Sequence, residues 1–188
     1  MDPNSFVQQY FLVTGAGWAV IGAMAAVMFG GIGSARGIRI AAAEAAGAVS
    51  EKPELFGKTL VLAALPGTQG FYGFIIAIMI LLTSNIMGDA AVNVSPLVGL
   101  AFMFTGILAG IVQWKSAVNQ GEVSAACINL TTKRPEEGGR AILLPVLVET
   151  YAVVALLAAI LVITALEGAL QIVPAAELIQ TVTTSGGM

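Results

Sequence analysis

The segment from Ala141 to Leu166 reads AILLPVLVETYAVVALLAAILVITAL, and Glu149 is its one charged residue. A helix needs about 20 apolar residues to cross the hydrocarbon core of a bilayer, so this window is long enough to span it. A strand of a membrane β-barrel would alternate apolar and polar residues, whereas this run is continuously apolar. The segment therefore predicts a transmembrane helix that carries a single carboxylate.

Three further windows are long and apolar and contain no charged residue. They run from Phe6 to Ala35, from Thr59 to Gly88 and from Ala90 to Trp114. The whole chain is 57% hydrophobic and 10% charged, with a mean hydropathy of +0.91, which is too little polar surface for a fold in water. We expect an all-α membrane protein of four transmembrane helices, with residues 1–188 forming one domain in the lipid bilayer.

The positions of the charged residues predict an orientation. All eight basic residues lie in or beside the first and third connections: Arg36, Arg39, Lys52, Lys58, Lys115, Lys133, Arg134 and Arg140. By the positive-inside rule both connections are cytoplasmic, and both termini lie on the other side of the cell membrane. The net charge of −3 offers no basic face for nucleic acid. A chain without His and with Cys127 alone cannot build a disulfide framework, a zinc site or a His-dependent catalyst.

The two halves of the chain resemble each other. The segment SEKPE at 50–54 resembles TKRPE at 132–136, and the Leu-Pro pair at 65–66 resembles the pair at 144–145. Because each pair is separated by about 80 residues in the same direction, the sequence predicts a duplicated helical hairpin. The repeats cover about 6–82 and about 95–166, and the tail 167–188 has no assigned role.

Glycines are concentrated in the first and third windows. Gly33 and Gly37, and likewise Gly106 and Gly110, form small-x-x-x-small pairs. Such pairs let helices approach closely. This surface could line the crowded inside of a ring, or it could serve tight packing within one monomer, and the glycines alone do not separate the two.

Glu149 is the chemically distinctive residue. An ionised carboxylate at bilayer depth is costly, and no predicted span contains a basic residue to pair with it. It must therefore be protonated or bind a cation, and both states are those of an ion carrier. A protonated, hydrogen-bonded structural role is the alternative.

Polar side chains on two other spans provide possible partners for Glu149. Thr68, Gln69 and Tyr72 share one face of the second span, and Gln113 lies near the inner end of the third. Counting about 1.5 Å per residue from the outer helix ends places Gln69, Gln113 and Glu149 at a common depth. Hydroxyl and amide oxygens beside a carboxylate suit a dehydrated monovalent cation, whereas a proton needs little beyond the carboxylate. Hydrogen bonding between helices is the alternative role for the two glutamines.

The strings LPGTQGFYGF at 65–74 and VETYA at 148–152, supported by GSARG at 33–37, resemble the duplicated rotor-ring proteolipids of V-type ATPases. The resemblance covers about residues 10–166. It implies a homo-oligomeric ring that carries ions past a stator membrane subunit. The ring would be turned through central-stalk subunits by a cytosolic ATPase head, and this chain would have no ATPase active site.

The resemblance also implies a set of ligands. For Na⁺ they would be the Leu65 carbonyl, Thr68, Gln69, Gln113 and Glu149, with Tyr72 donating a hydrogen bond to the carboxylate. A proton-carrying ring of the same type is the alternative, and an autonomous ion-coupled transporter is a more distant one. Pro145, four residues before Glu149, departs from the family motif and leaves the local helix geometry open.

Overall fold

The computed structural model describes residues 8–87 and 94–172, and these are helical almost throughout. A π-helical segment, Gln8–Val13, precedes four helices that are long and apolar enough to cross a membrane. These are α1 (Ala16–Glu51), α2 (Pro53–Thr83), α3 (Pro96–Lys133) and α4, which contains the candidate span Pro135–Gly168 and continues to Ile172. The all-α fold with four spans is therefore confirmed. Phe6, Gly88 and Ala90, at the ends of predicted windows, lie outside the described residues, as does the tail from residue 173 onward.

The second helix of each hairpin is interrupted. α2 consists of a 3₁₀ turn, an α-helical segment, a second 3₁₀ turn and a longer α-helical segment: Pro53–Leu55, Phe56–Ala64, Leu65–Gly67 and Thr68–Thr83. α4 begins with Pro135–Glu137 and Gly138–Ala141 and continues as Leu143–Ile172. A proline lies in or just after each interruption, Pro66 in α2 and Pro145 in α4. Because proline has no backbone N–H, each removes one hydrogen bond of a regular α-helix.

The first and third helices are longer than the charge-free windows that predicted them. α1 continues past Ala35 and α3 continues past Trp114, so Arg36, Arg39 and Lys115 lie on helices instead of in connections. All three side chains are exposed, and the Lys115 Nζ lies 5.9 Å from the Trp114 ring centroid. A charge ends an apolar window but does not end a helix, because a long basic side chain can reach a polar region from a helix surface.

The turns within the two hairpins are copies of each other. Lys52 and Arg134, the residues that follow the first helix of each hairpin, have the same backbone angles, φ −136° and ψ 82°. The turns are also joined directly, since Lys52 Nζ donates to the Thr132 carbonyl at 2.6 Å and Lys58 Nζ to the Pro135 carbonyl at 2.7 Å. The duplicated hairpin predicted from the sequence is thus present, with its two turns at the same end of the bundle.

α1 and α3 run parallel and make the most extensive helix contact of the bundle. Glycines of α3 lie against glycines at or beside α1, 84 positions earlier in the sequence: Gly99 against Gly15, Gly106 against Gly22 and Gly121 against Gly37. A Cβ atom added to Gly106 would overlap the carbonyl oxygen of Gly22. These glycines therefore pack α1 against α3 within one chain.

Two apolar clusters lie on either side of a polar layer. One cluster lies at the end of the bundle far from the hairpin turns and includes Phe102, Ile76 and Ile163. The other lies near the turns and includes Leu62 and Ile128. Between them, three buried glutamines and a buried serine lie on α2 and α3: Gln69, Gln113, Gln120 and Ser116. Among the four helices α4 is the least buried, and its outward face is apolar.

Candidate ion-binding site

Glu149 lies half-buried on α4, within the polar layer. Tyr72 donates its hydroxyl hydrogen to Glu149 Oε1 at 2.7 Å, and Gln120 Nε2 donates to Oε2 at 3.3 Å. Among the described residues, the ion pair observed joins Arg140 to Glu137 at 3.4 Å, close to the turn of the second hairpin. No ion pair in this part of the chain includes Glu149. The carboxylate is therefore held by neutral hydrogen-bond donors from α2 and α3.

A group of oxygen atoms faces this region from the 3₁₀ turn of α2. Thr68 Oγ1 donates to the Leu65 carbonyl at 3.1 Å, and it lies 3.3 Å from Gln69 Oε1. The turn begins at Leu65 because Pro66 follows it, and the backbone N–H of Thr68 also donates to the Leu65 carbonyl. The local sequence thus brings a carbonyl, a hydroxyl and an amide oxygen together at one turn.

Gln120 connects this oxygen group with the carboxylate. Gln69 Nε2 donates to Gln120 Oε1 at 2.6 Å and lies 3.3 Å from Ser116 Oγ. Gln120 Nε2 then donates to Glu149 and, at 3.1 Å, to the Pro145 carbonyl. An amide side chain can present its oxygen or its nitrogen to a partner by rotating its last torsion angle. Both glutamines can therefore turn oxygens toward a cation beside Glu149.

Gln113 makes no hydrogen bond to Glu149 among the described residues. Its Nε2 donates to the Ala152 carbonyl at 2.9 Å, and its Oε1 is buried with no hydrogen-bond partner among the described residues. The helix-end count that placed Gln113 level with Gln69 was misleading, because Gln69 contacts Ser116 and Gln120 instead. The helix ends used for counting are not equivalent, since α2 ends at Thr83 whereas α4 continues past Leu166 to Ile172.

Sequence reasoning did not single out Gln120 or Ser116. Both lie beyond Lys115, where the third apolar window ends, and were therefore assigned to a connection. A signal was nevertheless present, because Gly106, Gln113 and Gln120 follow one another at intervals of seven and share one face of α3. Extending that spacing past the lysine would have brought Gln120 into the site.

The fold and the site together define a membrane protein of two duplicated helical hairpins, with one carboxylate held inside the bundle. The sequence profile of the ATP synthase C subunit matches residues 21–80 and again residues 97–162, once in each hairpin. The chain belongs to this family of ATP synthase C subunits.

Two relatives have names that describe larger assemblies. The V-type sodium ATPase subunit K of Enterococcus hirae is 39% identical over 153 residues, which cover 76% of this chain and 90% of the relative. The A-type ATP synthase subunit K of Methanocaldococcus jannaschii is 39% identical over 141 residues, which cover 75% of this chain and 59% of that relative. The similarity to both includes most of the four-helix region, so the chain is a proteolipid of the V-type and A-type class.

Proposed function

We propose that this chain is the ion-carrying subunit of the rotor ring of a V-type ATPase, and that Glu149 binds Na⁺. The observation that carries the proposal is the arrangement of Glu149 opposite Tyr72 and Gln120, beside the oxygen group of α2. A carboxylate at this depth is unfavourable unless its charge is neutralised. A bound cation or a proton neutralises it, and rotation of the ring would carry the neutral site through the bilayer.

The ligands for Na⁺ would be oxygen atoms from three helices. We assign them to the Leu65 carbonyl, the Thr68 hydroxyl, the Gln69 amide, the Gln120 amide and the Glu149 carboxylate. Gln120 takes the place expected for Gln113, because Gln120 contacts both Gln69 and Glu149. Tyr72 would orient the carboxylate without acting as a ligand.

The number of oxygen atoms favours sodium over a proton. A dehydrated cation needs several oxygens to replace its hydration shell, whereas protonating Glu149 would require none of the α2 oxygens. The name of the Enterococcus relative, a sodium ATPase subunit, agrees with this assignment. A proton-carrying ring remains the alternative outcome of the experiment below.

The assembly follows from the same proposal. Identical copies would form the ring in the cell membrane, and the ring would move past a stator membrane subunit. The hairpin turns at Lys52 and Arg134 would face the cytoplasm, by the positive-inside rule, and would meet the central stalk. The stalk would transmit rotation from a cytosolic head that hydrolyses ATP, so this chain would carry ions and take no catalytic part. Both termini would lie on the opposite side of the membrane.

Carbodiimide labelling of Glu149 tests the choice of ion. A carbodiimide attacks the protonated acid, and a bound cation keeps the carboxylate deprotonated. Sodium should therefore slow the labelling of purified rings at fixed pH, with potassium replacing sodium to hold ionic strength constant. The protection should weaken as the pH falls. A labelling rate that does not depend on sodium, at any pH where the acid reacts, would assign the site to protons.

A substitution tests whether Glu149 is the carrier. Glu149→Gln keeps the size of the side chain and loses the charge, so rings should assemble while ATP-driven sodium uptake into reconstituted vesicles is abolished. Glu149→Asp keeps the charge and should retain part of the uptake. Uptake by the Gln variant near that of the unaltered complex would contradict the carrier role.

A further inference from the structure

Three hydrogen bonds link side chains of α3 to backbone carbonyls of α4, one on each successive helical turn. They join Gln113 Nε2 to the Ala152 carbonyl at 2.9 Å, Ser116 Oγ to the Val148 carbonyl at 3.3 Å and Gln120 Nε2 to the Pro145 carbonyl at 3.1 Å. We call these three bonds the carbonyl ladder. Its donors are spaced by three and four residues and its acceptors by four and three, so each step corresponds to about one turn of both helices.

The carbonyl ladder is confined to the part of α4 that carries Glu149. Its acceptors at 145, 148 and 152 lie on both sides of residue 149. In the described residues, the ladder and the bond from Gln120 to Glu149 are all the hydrogen bonds observed between α3 and α4. Elsewhere these two helices meet through apolar and small side chains. The ladder therefore fixes the backbone locally, at the turn before the carboxylate and the turn after it.

The first hairpin has no corresponding ladder. The paired glycines are 84 positions apart. The same spacing makes Phe29, Ile32 and Arg36 the first-hairpin equivalents of the three ladder donors. Within the ranges described, the hydrogen bond observed between α1 and α2 runs from the backbone N–H of Gly70 to Ser34 Oγ at 2.8 Å. The first hairpin thus packs without a ladder, and the apolar part of its second helix, residues 59–83, contains no carboxylate. If the ladder served helix packing alone, both hairpins would need it.

The environment of Gln113 also indicates that the ladder does more than pack the two helices together. Its side chain is fully buried, and its Oε1 has no hydrogen-bond partner in the described part of the chain. Burying an unpaired amide oxygen is unfavourable, and an apolar side chain of similar size would avoid this penalty. Packing alone therefore does not explain a glutamine at this position, whereas its bond to the Ala152 carbonyl does.

We propose that Gln113 and Ser116 are positioning residues for the ion site, an inference that rests on the proposed ion-carrying role of Glu149. Among the described residues neither side chain makes a hydrogen bond to the carboxylate, and Ser116 Oγ also accepts one from Gln69 Nε2 at 3.3 Å. They hold the backbone of α4 on both sides of residue 149, so that the carboxylate stays opposite Tyr72 and Gln120. Without these two bonds α4 can rotate slightly about its axis, and a small rotation moves the carboxylate away from both donors.

The test compares Gln113→Met and Ser116→Ala with the unaltered protein in purified, assembled rings. Ser124→Ala is the matched control, because Ser124 is buried on the same helix and its hydroxyl has no hydrogen-bond partner among the described residues. The readout is the sodium chloride concentration that halves the rate of carbodiimide labelling at Glu149. Each ladder variant should raise it on the order of five-fold, which corresponds to losing one hydrogen bond, and the control should leave it unchanged.

Thermal stability of the rings is measured on the same samples. Gln113→Met removes an unpaired buried oxygen, so these rings should melt at or above the temperature of the unaltered ones. Unchanged sodium protection in both ladder variants, with or without a loss of stability, would reduce the ladder to helix packing and overturn the proposal.

The proposed sodium site can fail separately, since it fails if sodium does not protect the unaltered ring. In that case the rate of carbodiimide labelling of Glu149, measured at fixed pH without sodium, tests whether the ladder positions the carboxylate. A rate changed at least threefold in both ladder variants, and unchanged in Ser124→Ala, would support positioning. Equal rates in all four proteins would overturn it.

Discussion

Replacing Tyr72 with Phe should weaken the preference of the site for sodium over protons. The substitution removes the 2.7 Å hydrogen bond to Glu149 Oε1 and keeps the aromatic ring. Under the proposed function, Glu149 is charged when sodium is bound and neutral when it is protonated. In the unaltered protein, the hydrogen bond from Tyr72 therefore stabilises the sodium-bound state more than the protonated state.

The size of the effect follows from this difference. A hydrogen bond contributes about 1.5–3 kcal/mol to a charged partner and about 0.5–1.5 kcal/mol to a neutral one. Removing it should therefore favour the protonated form by about 1–1.5 kcal/mol, and a shift of 1.4 kcal/mol is about tenfold in an equilibrium constant. We expect the sodium concentration that halves carbodiimide labelling at fixed pH to rise about five- to tenfold.

Tyr151 provides the control for this measurement. It lies two residues from Glu149 on α4, but its side chain is 74% exposed and makes no hydrogen bond in the described structure. Tyr151→Phe should leave the protection curve unchanged. Equal protection curves for Tyr72→Phe and the unaltered ring would mean that the hydroxyl does not act on the ion-bound carboxylate.

Two further predictions concern packing and orientation. Gly106→Ala should destabilise the protein by about 1–3 kcal/mol, because its Cβ would overlap the carbonyl of Gly22. In the described structure a Cβ at Gly31 would meet nothing within 4 Å, so Gly31→Ala should melt normally in detergent, and equal melting of both variants would refute this account of the contact. In a cysteine-free background, Glu51→Cys should be labelled from the cytoplasm and Asn93→Cys from the other side. Labelling of both from one side would contradict the orientation.

The four helices were predictable because each apolar window exceeds the length that a bilayer requires. The two turns were predictable because Pro53 and Pro135 recur in similar strings, and the structure gives the residues before them identical backbone angles. The helix ends were not predictable in the same way. Arg36 and Lys115 interrupt an apolar window, whereas the helix continues through both of them, since an exposed basic side chain does not disturb its backbone hydrogen bonds.

The candidate site was only partly accessible from the sequence. Tyr72 was expected to donate to Glu149, and the structure contains that hydrogen bond at 2.7 Å. Choosing between Gln113 and Gln120 required knowing how far α3 is shifted along α4. A shift of two turns carries one glutamine away from the carboxylate and brings the other to it. Composition and hydropathy do not encode this shift, because it depends on where α4 ends and on how α1 and α3 fit together through their glycines.

Gln69 stands 80 positions before Glu149, on the second helix of the first hairpin, where a repeated sequence would otherwise carry a second carboxylate. In the proposed ring, each protomer therefore moves one ion for every four helices that pass the stator. Each elementary charge moved against the membrane potential costs about 2.3 kcal/mol per 100 mV. With fewer charges per revolution, the free energy of each ATP is divided among fewer ions. The hydrolysis of one ATP can therefore move each ion against a steeper electrochemical gradient. A glutamine in place of a second carboxylate thus lowers the number of ions moved per ATP and raises the free energy available for each ion.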